Sequence, residues 1–176
     1  PDSWNGQEVF IHFAGVQSAM SLWINGKEVG YHEDGMLPAE FRITKYLKKG
    51  DNELAVKVLN WSDGSYIEDQ DFWRLSGIYR DVFLYSVPTV SIRDFSIHSV
   101  LDNEFKDAEL NIAIDLLNKE TKSIEGYKLR VGLLDKKNSV VWSEESKTIS
   151  IERNKEQKVE FSAKINTPLK WTAETP

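Results

Sequence analysis

The 176-residue chain contains no cysteine, which excludes disulfides, thiolate-bound metals and a cysteine nucleophile together. That absence suits either cytosol or periplasm, so it leaves the compartment undetermined. No run approaches the roughly 18 apolar residues of a membrane span, and no basic segment leads into an apolar one at the start. No membrane partner is expected. Basic charge is not in excess: 22 Lys and Arg stand against 28 Asp and Glu, a formal net charge of −6. That balance argues against a phosphate footprint and hence against a nucleic-acid partner. His12, His32 and His98 show no HxxxH or HxH spacing, no GxSxG elbow surrounds any serine, and no GxGxxG or P-loop surrounds any glycine.

What is there is apolar alternation broken by turn chemistry. Apolar residues make up 40% of the chain and aromatics 11%, ample for one large β core or two small ones. Val9, Ile11 and Phe13 alternate along a first strand. Ala19 to Ile24 forms another, and Asn25-Gly26 then predicts a hairpin returning along Lys27 to Tyr31, because a type I′ turn needs positive φ at both central residues. Ile43 to Gly50 reads as a helical turn with Thr44 as N-cap and Gly50 as its stop. Glu53 to Leu59 and Arg80 to Ser86 read as strands, with Leu54, Val56 and Val58 facing one way.

Pro88 marks the expected domain boundary, dividing the chain into 1–88 and 89–176. Beyond it, Leu110, Ile112, Ile114 and Leu116 alternate with Glu109, Asn111, Ala113 and Asp115, the pattern of an antiparallel strand with one wet face. Tyr127 to Leu133 and Val159 to Ile165 repeat that pattern. Charged turns at Asn118-Lys119-Glu120 and Asp135 to Asn138 separate them, pointing to an immunoglobulin-like sandwich without the Cys…Trp…Cys signature. The chain opens on Pro1-Asp2-Ser3-Trp4 and closes on Trp171 to Pro176, and neither end is expected to be a natural terminus.

Trp61 to Arg74 has no clean period and carries four carboxylates, Asp63, Glu68, Asp69 and Asp71, among four aromatic residues. Sugars stack their apolar faces on aromatic rings and donate hydroxyl hydrogens to carboxylates, so this segment is the candidate site. The alternative reading is structural: Asp63-Gly64 makes a turn, Trp61 and Trp73 are core, and Arg74 pairs with a nearby acid. In an extended segment Asp69 and Asp71 would lie on one face about 7 Å apart. Nothing in the segment supplies the raised pKa of a general acid, and the acidic order around Gly64 does not fit a calcium loop. Catalysis by this segment alone is therefore not expected.

Several runs together carry a resemblance: Phe13 to Ala19, Leu22 to Tyr31, Leu37 to Phe41, Leu47 to Val56 and, most specific, Trp61 to Val82. They resemble the amino-terminal sugar-binding domain of family 2 glycoside hydrolases, and in particular that of the long bacterial β-galactosidases. The likeness is strong over about residues 8–88 and looser over 89–176, which is similar to the first immunoglobulin-like domain of that family. It implies an all-β chain, a jelly-roll sandwich lacking its amino-terminal part and then an immunoglobulin-like sandwich whose carboxy-terminal end is missing. The implied activity of the parent protein is hydrolysis of terminal β-D-galactosides with retention. In that family the catalytic glutamates and magnesium ligands lie on a later (β/α)₈ barrel, so no catalytic residue is expected in this chain, and the chain alone is expected to be inactive.

By motif position the family's sodium ligand and galactose 6-hydroxyl partner matches Asp71, with Asp69 as the neighbouring alternative. A second substrate contact, an Asn, lies upstream of where this chain begins. The segment alone is expected to hold no cofactor, whereas sodium and magnesium are implied for the parent. Implied partners are the chain's own barrel domain, a galactoside, and further copies in a homo-oligomer. The rival reading is a stand-alone carbohydrate-binding module, and a third is a spacer with no ligand.

Overall fold

In the computed structural model, residues 1–67, 71, 73 and 75–174 are described. They form two compact units, Pro1–Pro88 and Thr89–Pro176. Both are built of antiparallel strands, in keeping with the all-β class expected from the alternation.

The first unit contains β1 (Glu8–Phe13), β2 (Val16–Gln17), β3 (Ala19–Ile24), β4 (Lys27–His32), β5 (Ala39–Arg42), β6 (Leu54–Leu59), β7 (Gly77–Ile78) and β8 (Val82–Val87). One sheet has the order β5-β1-β8 and another β4-β3-β6, while β2 pairs with β7. Because successive side chains point to opposite faces, Val9, Ile11 and Phe13 of β1 and Met20, Leu22 and Ile24 of β3 fall on inner faces. They form one core with Val16, Ala39 and Ile43. Each such fully buried side chain contributes about 1.5–3 kcal/mol relative to exposure.

The hairpin expected at Asn25-Gly26 joins β3 to β4, with φ of 52° and 75° at those two residues. Its register slips between Leu22 and Trp23, so that Trp23 faces Glu28. The tip is tied down as well: Asn25 donates to the Tyr46 carbonyl at 2.9 Å and to Asn52 Oδ1 at 2.8 Å, and accepts from the Glu53 N–H at 3.0 Å. The helical turn expected over Ile43 to Gly50 is shorter, a 3₁₀ turn at Thr44–Tyr46, and Thr44 does not cap it. Its hydroxyl instead accepts from the Val9 N–H and donates to Glu8, both at 2.8 Å. Glu8, buried in the sheet, is also gripped by the Arg42 guanidinium, whose second nitrogen lies 2.7 Å away. A long-range tie to a buried carboxylate thus displaced the local cap. On β6, Leu54 is exposed whereas Val56 and Val58 pack on the core.

The second unit contains β9 (Val90–Leu101), β10 (Ala108–Asn118), β11 (Ile124–Tyr127), β12 (Arg130–Leu134), β13 (Val140–Glu145), β14 (Ile149–Ile151) and β15 (Glu156–Ile165). Its main sheet is β15-β10-β9, accompanied by the pairs β11-β14 and β12-β13. Ile114 and Leu116 of β10 pack with Ile124, Ile149, Ile151 and Phe161. The strand expected over Tyr127 to Leu133 is broken after Tyr127, which is exposed, while Leu129 and Val131 reach the core. Asn118 is not a solvated turn residue, because it is completely buried. Its amide donates to the carbonyls of Lys122, Ile151 and Glu152 at 2.9–3.2 Å, and its oxygen accepts from the Glu120 N–H at 2.8 Å. By contrast Asp135 does make an exposed turn, accepting from the N–H groups of Lys137 and Ser139.

Candidate functional site

The candidate segment runs from the end of β6 to the start of β7, within the first unit. Among the described residues between them, Gly64–Ile67 makes a helical turn that the aperiodic sequence did not foretell. The first stem is held from two sides. Ser18, buried just ahead of β3, receives its partner strand through its N–H to the Leu59 carbonyl at 3.0 Å. The Ser18 hydroxyl also contacts the hydroxyl of Ser62 and lies 2.9 Å from that of Ser65. From the end of β4, Glu33 Oε1 accepts from the Gly64 N–H at 3.1 Å. Its other oxygen accepts from the Tyr31 hydroxyl at 2.6 Å.

These bonds leave an electrostatic signature. The Tyr31 hydroxyl, donating to Glu33, is pushed up to about 12, with burial and the negative charges of Glu33 and Asp63 acting the same way. Glu33 is correspondingly held below the ordinary carboxylate range by the Tyr31 hydroxyl first, then the Gly64 N–H and Ser62. Neighbouring Asp34 is lowered too, because it accepts the N–H groups of Leu37 and Met36 and so closes the turn after β4.

The second stem is held by pairing of Val16 with Ile78 and Gln17 with Gly77. The hydroxyl end of Tyr79 sits against Gly15, where a Cβ would come within 2.7 Å of the ring carbon Cζ. The Tyr79 hydroxyl donates to the Gly35 carbonyl, and Arg80 donates to the carbonyls of Ala14 and Met36 at 3.3 Å. Both stems are therefore seated on residues 14–18.

The described side chains between the stems face outward. Trp61 is 54% exposed, Tyr66 75%, Trp73 78% and Leu75 72%, which overturns the structural reading that made Trp61 and Trp73 core residues. Trp61 and Tyr66 keep their rings 6.3 Å apart. Asp71 is exposed in a bend of the same segment. Asp69 and Arg74, the neighbouring alternative and the expected ion-pair donor, lie outside the described residues, as does Glu68. Among the described residues no three His, Asp or Glu side chains gather as a metal cluster. The Asp71 carboxylate offers oxygen donors, the ligand type that hard cations take.

Glu33 and Ser18, which bond to the first stem, were missed from sequence. The usable signal was a run of hydroxyls, Ser62 and Ser65, flanking Asp63-Gly64, but its partners lie more than thirty residues away along the chain.

Comparison with known proteins assigns both units. Residues 1–88 match the model described as glycosyl hydrolases family 2, sugar binding domain, and residues 90–176 match glycosyl hydrolases family 2. The chain is similar to the β-galactosidase of Priestia megaterium, 46% identical over 173 residues that cover 98% of this chain and 17% of that protein. It is likewise 37% identical to the β-galactosidase of Halalkalibacterium halodurans over 176 residues, all of this chain and 16% of that one. The chain thus spans about a sixth of the length of the curated relatives it matches. In structure it is similar to a β-glucuronidase of Bacteroides uniformis, with a TM-score of 0.90 and 25% identity over 99% of this chain and 22% of that one.

Proposed function

Because the chain belongs to glycoside hydrolase family 2 and corresponds to its amino-terminal non-catalytic domains, we propose that it is the β-domain portion of a retaining β-galactosidase. In this reading its two sandwiches buttress a catalytic (β/α)₈ barrel, and Asp71 reaches the galactoside and a sodium ion. The carrying observation is the Trp61 to Leu75 segment, clamped at both ends on residues 14–18 yet presenting its described aromatic side chains outward. The described aromatic side chains of this loop add nothing to the core, and exposed aromatic and acidic groups on a rigid base are the means of meeting a sugar or a partner domain.

Asp71 would accept a hydrogen bond from a sugar hydroxyl and neutralise a monovalent cation, fixing orientation without moving a proton. Retaining hydrolysis needs two carboxyls about 5–5.5 Å apart, and this chain supplies neither in the proposed arrangement. Highly purified chain should therefore leave a chromogenic galactoside intact.

The test is Asp71→Ala in the full-length enzyme. A charge-assisted hydrogen bond is worth about 1.5–3 kcal/mol, so kcat/KM on galactosides should fall about 10- to 100-fold and sodium dependence should weaken. Substrates lacking the 6-hydroxymethyl group already forgo the contact and should lose far less. Equal losses on both substrates, or an unchanged sodium response, would overturn the role.

A further inference from the structure

The turn that follows β4 touches both stems of the Asp71 segment. Glu33 accepts from Gly64 in the first stem at 3.1 Å, while the Gly35 and Met36 carbonyls accept from Tyr79 and Arg80 in the second. Asp34 locks the turn between them through its bonds at 2.8 and 2.9 Å to the Met36 and Leu37 N–H groups. Residues 33–36 therefore bridge the two stems a second time, beside residues 14–18 and the bond at 3.1 Å from the Ser76 hydroxyl to the Asn60 carbonyl.

We infer that this turn is a clasp, with Glu33 a positioning residue that sets where Asp71 is presented. The inference rests on the proposed role of Asp71, which lies seven residues beyond Gly64. Three features single out Glu33 within the clasp. Its carboxylate is the tie from the turn to the first stem that depends on a side chain replaceable without touching the backbone. It is oriented in turn by the Tyr31 hydroxyl at 2.6 Å, so its rotamer is set before it meets Gly64. It is not part of the core cluster, so the sandwich does not need it. Positioning of this kind acts on rate strongly, because a displacement of about 1 Å at a contacting group can cost 10²-fold.

The experiment uses the full-length enzyme and three variants, Glu33→Ala, Glu33→Gln and Asp71→Ala, with the double variant Glu33→Ala/Asp71→Ala. Hydrogen exchange read by mass spectrometry on peptides spanning 61–67 should speed up about tenfold in Glu33→Ala, since one anchoring hydrogen bond is lost. The kcat/KM for galactosides should fall about tenfold in the same variant and recover most of that loss in Glu33→Gln, whose amide oxygen still accepts from Gly64. The double variant should be no worse than Asp71→Ala alone. Unchanged exchange over 61–67, or full additivity of the two losses, overturns the clasp. If exchange rises and Asp71→Ala leaves activity untouched, the clasp holds two stems together but the role given to Asp71 fails. If Asp71→Ala is damaging and Glu33→Ala loosens the stem without any kinetic loss, Glu33 is structural only.

Discussion

Strand β3 and the segment from Trp61 to Leu75 use the same kinds of side chain for opposite ends. In β3, Ala19, Met20 and Leu22 are wholly buried, and they hold two sheets together. In the segment, Trp61, Tyr66, Ile67, Trp73 and Leu75 are more than half exposed. Removing apolar area from water stabilises a fold, and leaving it in water stabilises nothing. Apolar content alone therefore does not mark a core. The strand is held by its neighbours through periodicity, whereas the segment is held at its stems by hydroxyls, a carboxylate and one tyrosine ring.

That contrast predicts where substitutions will act. Leu22→Ala should cost about 2–5 kcal/mol, the range for emptying a packed core site, and should lower the thermal midpoint of the first unit by more than any change in the segment. A loss below about 1 kcal/mol would mean that the inner faces are not the cohesive element. Asn118→Ala should follow at about 2–3 kcal/mol, since it leaves buried carbonyls without donors, and denaturant unfolding of the second unit reads it directly.

Gly15→Ala should come next, at about 1–3 kcal/mol for a forced overlap, because its Cβ would meet the Tyr79 ring at 2.7 Å. Unlike the core change it should also speed exchange at residues 77–80, and an effect on stability without that local signature would break the comparison. Acid should act on the other stem. The pKa of Glu33 is depressed in the folded chain by Tyr31, Gly64 and Ser62, so its stabilising contribution is complete above the ordinary glutamate range and is lost as pH falls through the depressed value. The amide resonance of Gly64 should titrate below the ordinary range, and a midpoint at or above that range would contradict the bond. The smallest effect is expected from Asp71→Ala, within about 0.5 kcal/mol on folding as for other exposed positions, even where its effect on catalysis is large.

Much of this was legible without a structure. Val9, Ile11 and Phe13, the β3 run and the Asn25-Gly26 turn were read correctly because each depends on local rules, the two-residue period of a strand and the φ preference of its turn. The long β9 strand was not, since Val90 to Leu101 mixes polar and apolar residues and is defined by its pairing along β10. Thr44 was misread as a cap for the same kind of reason: Glu8, thirty-six positions away, competes for its hydroxyl. Asp71 was singled out through resemblance alone, and it lies exposed in a bend.

The sequence by itself determined that this protein is all-β, which residues would alternate into its cores, and which segment breaks the alternation. Only the tertiary structure decided that Ser18, Glu33, Gly35 and Tyr79 converge on the two ends of that segment. Periodicity is carried by near neighbours along one strand and is visible in a string of letters. A hydrogen bond between Glu33 and Gly64 exists only after β4 and the chain leaving β6 have both been placed by β3 between them, and that placement is made by packing.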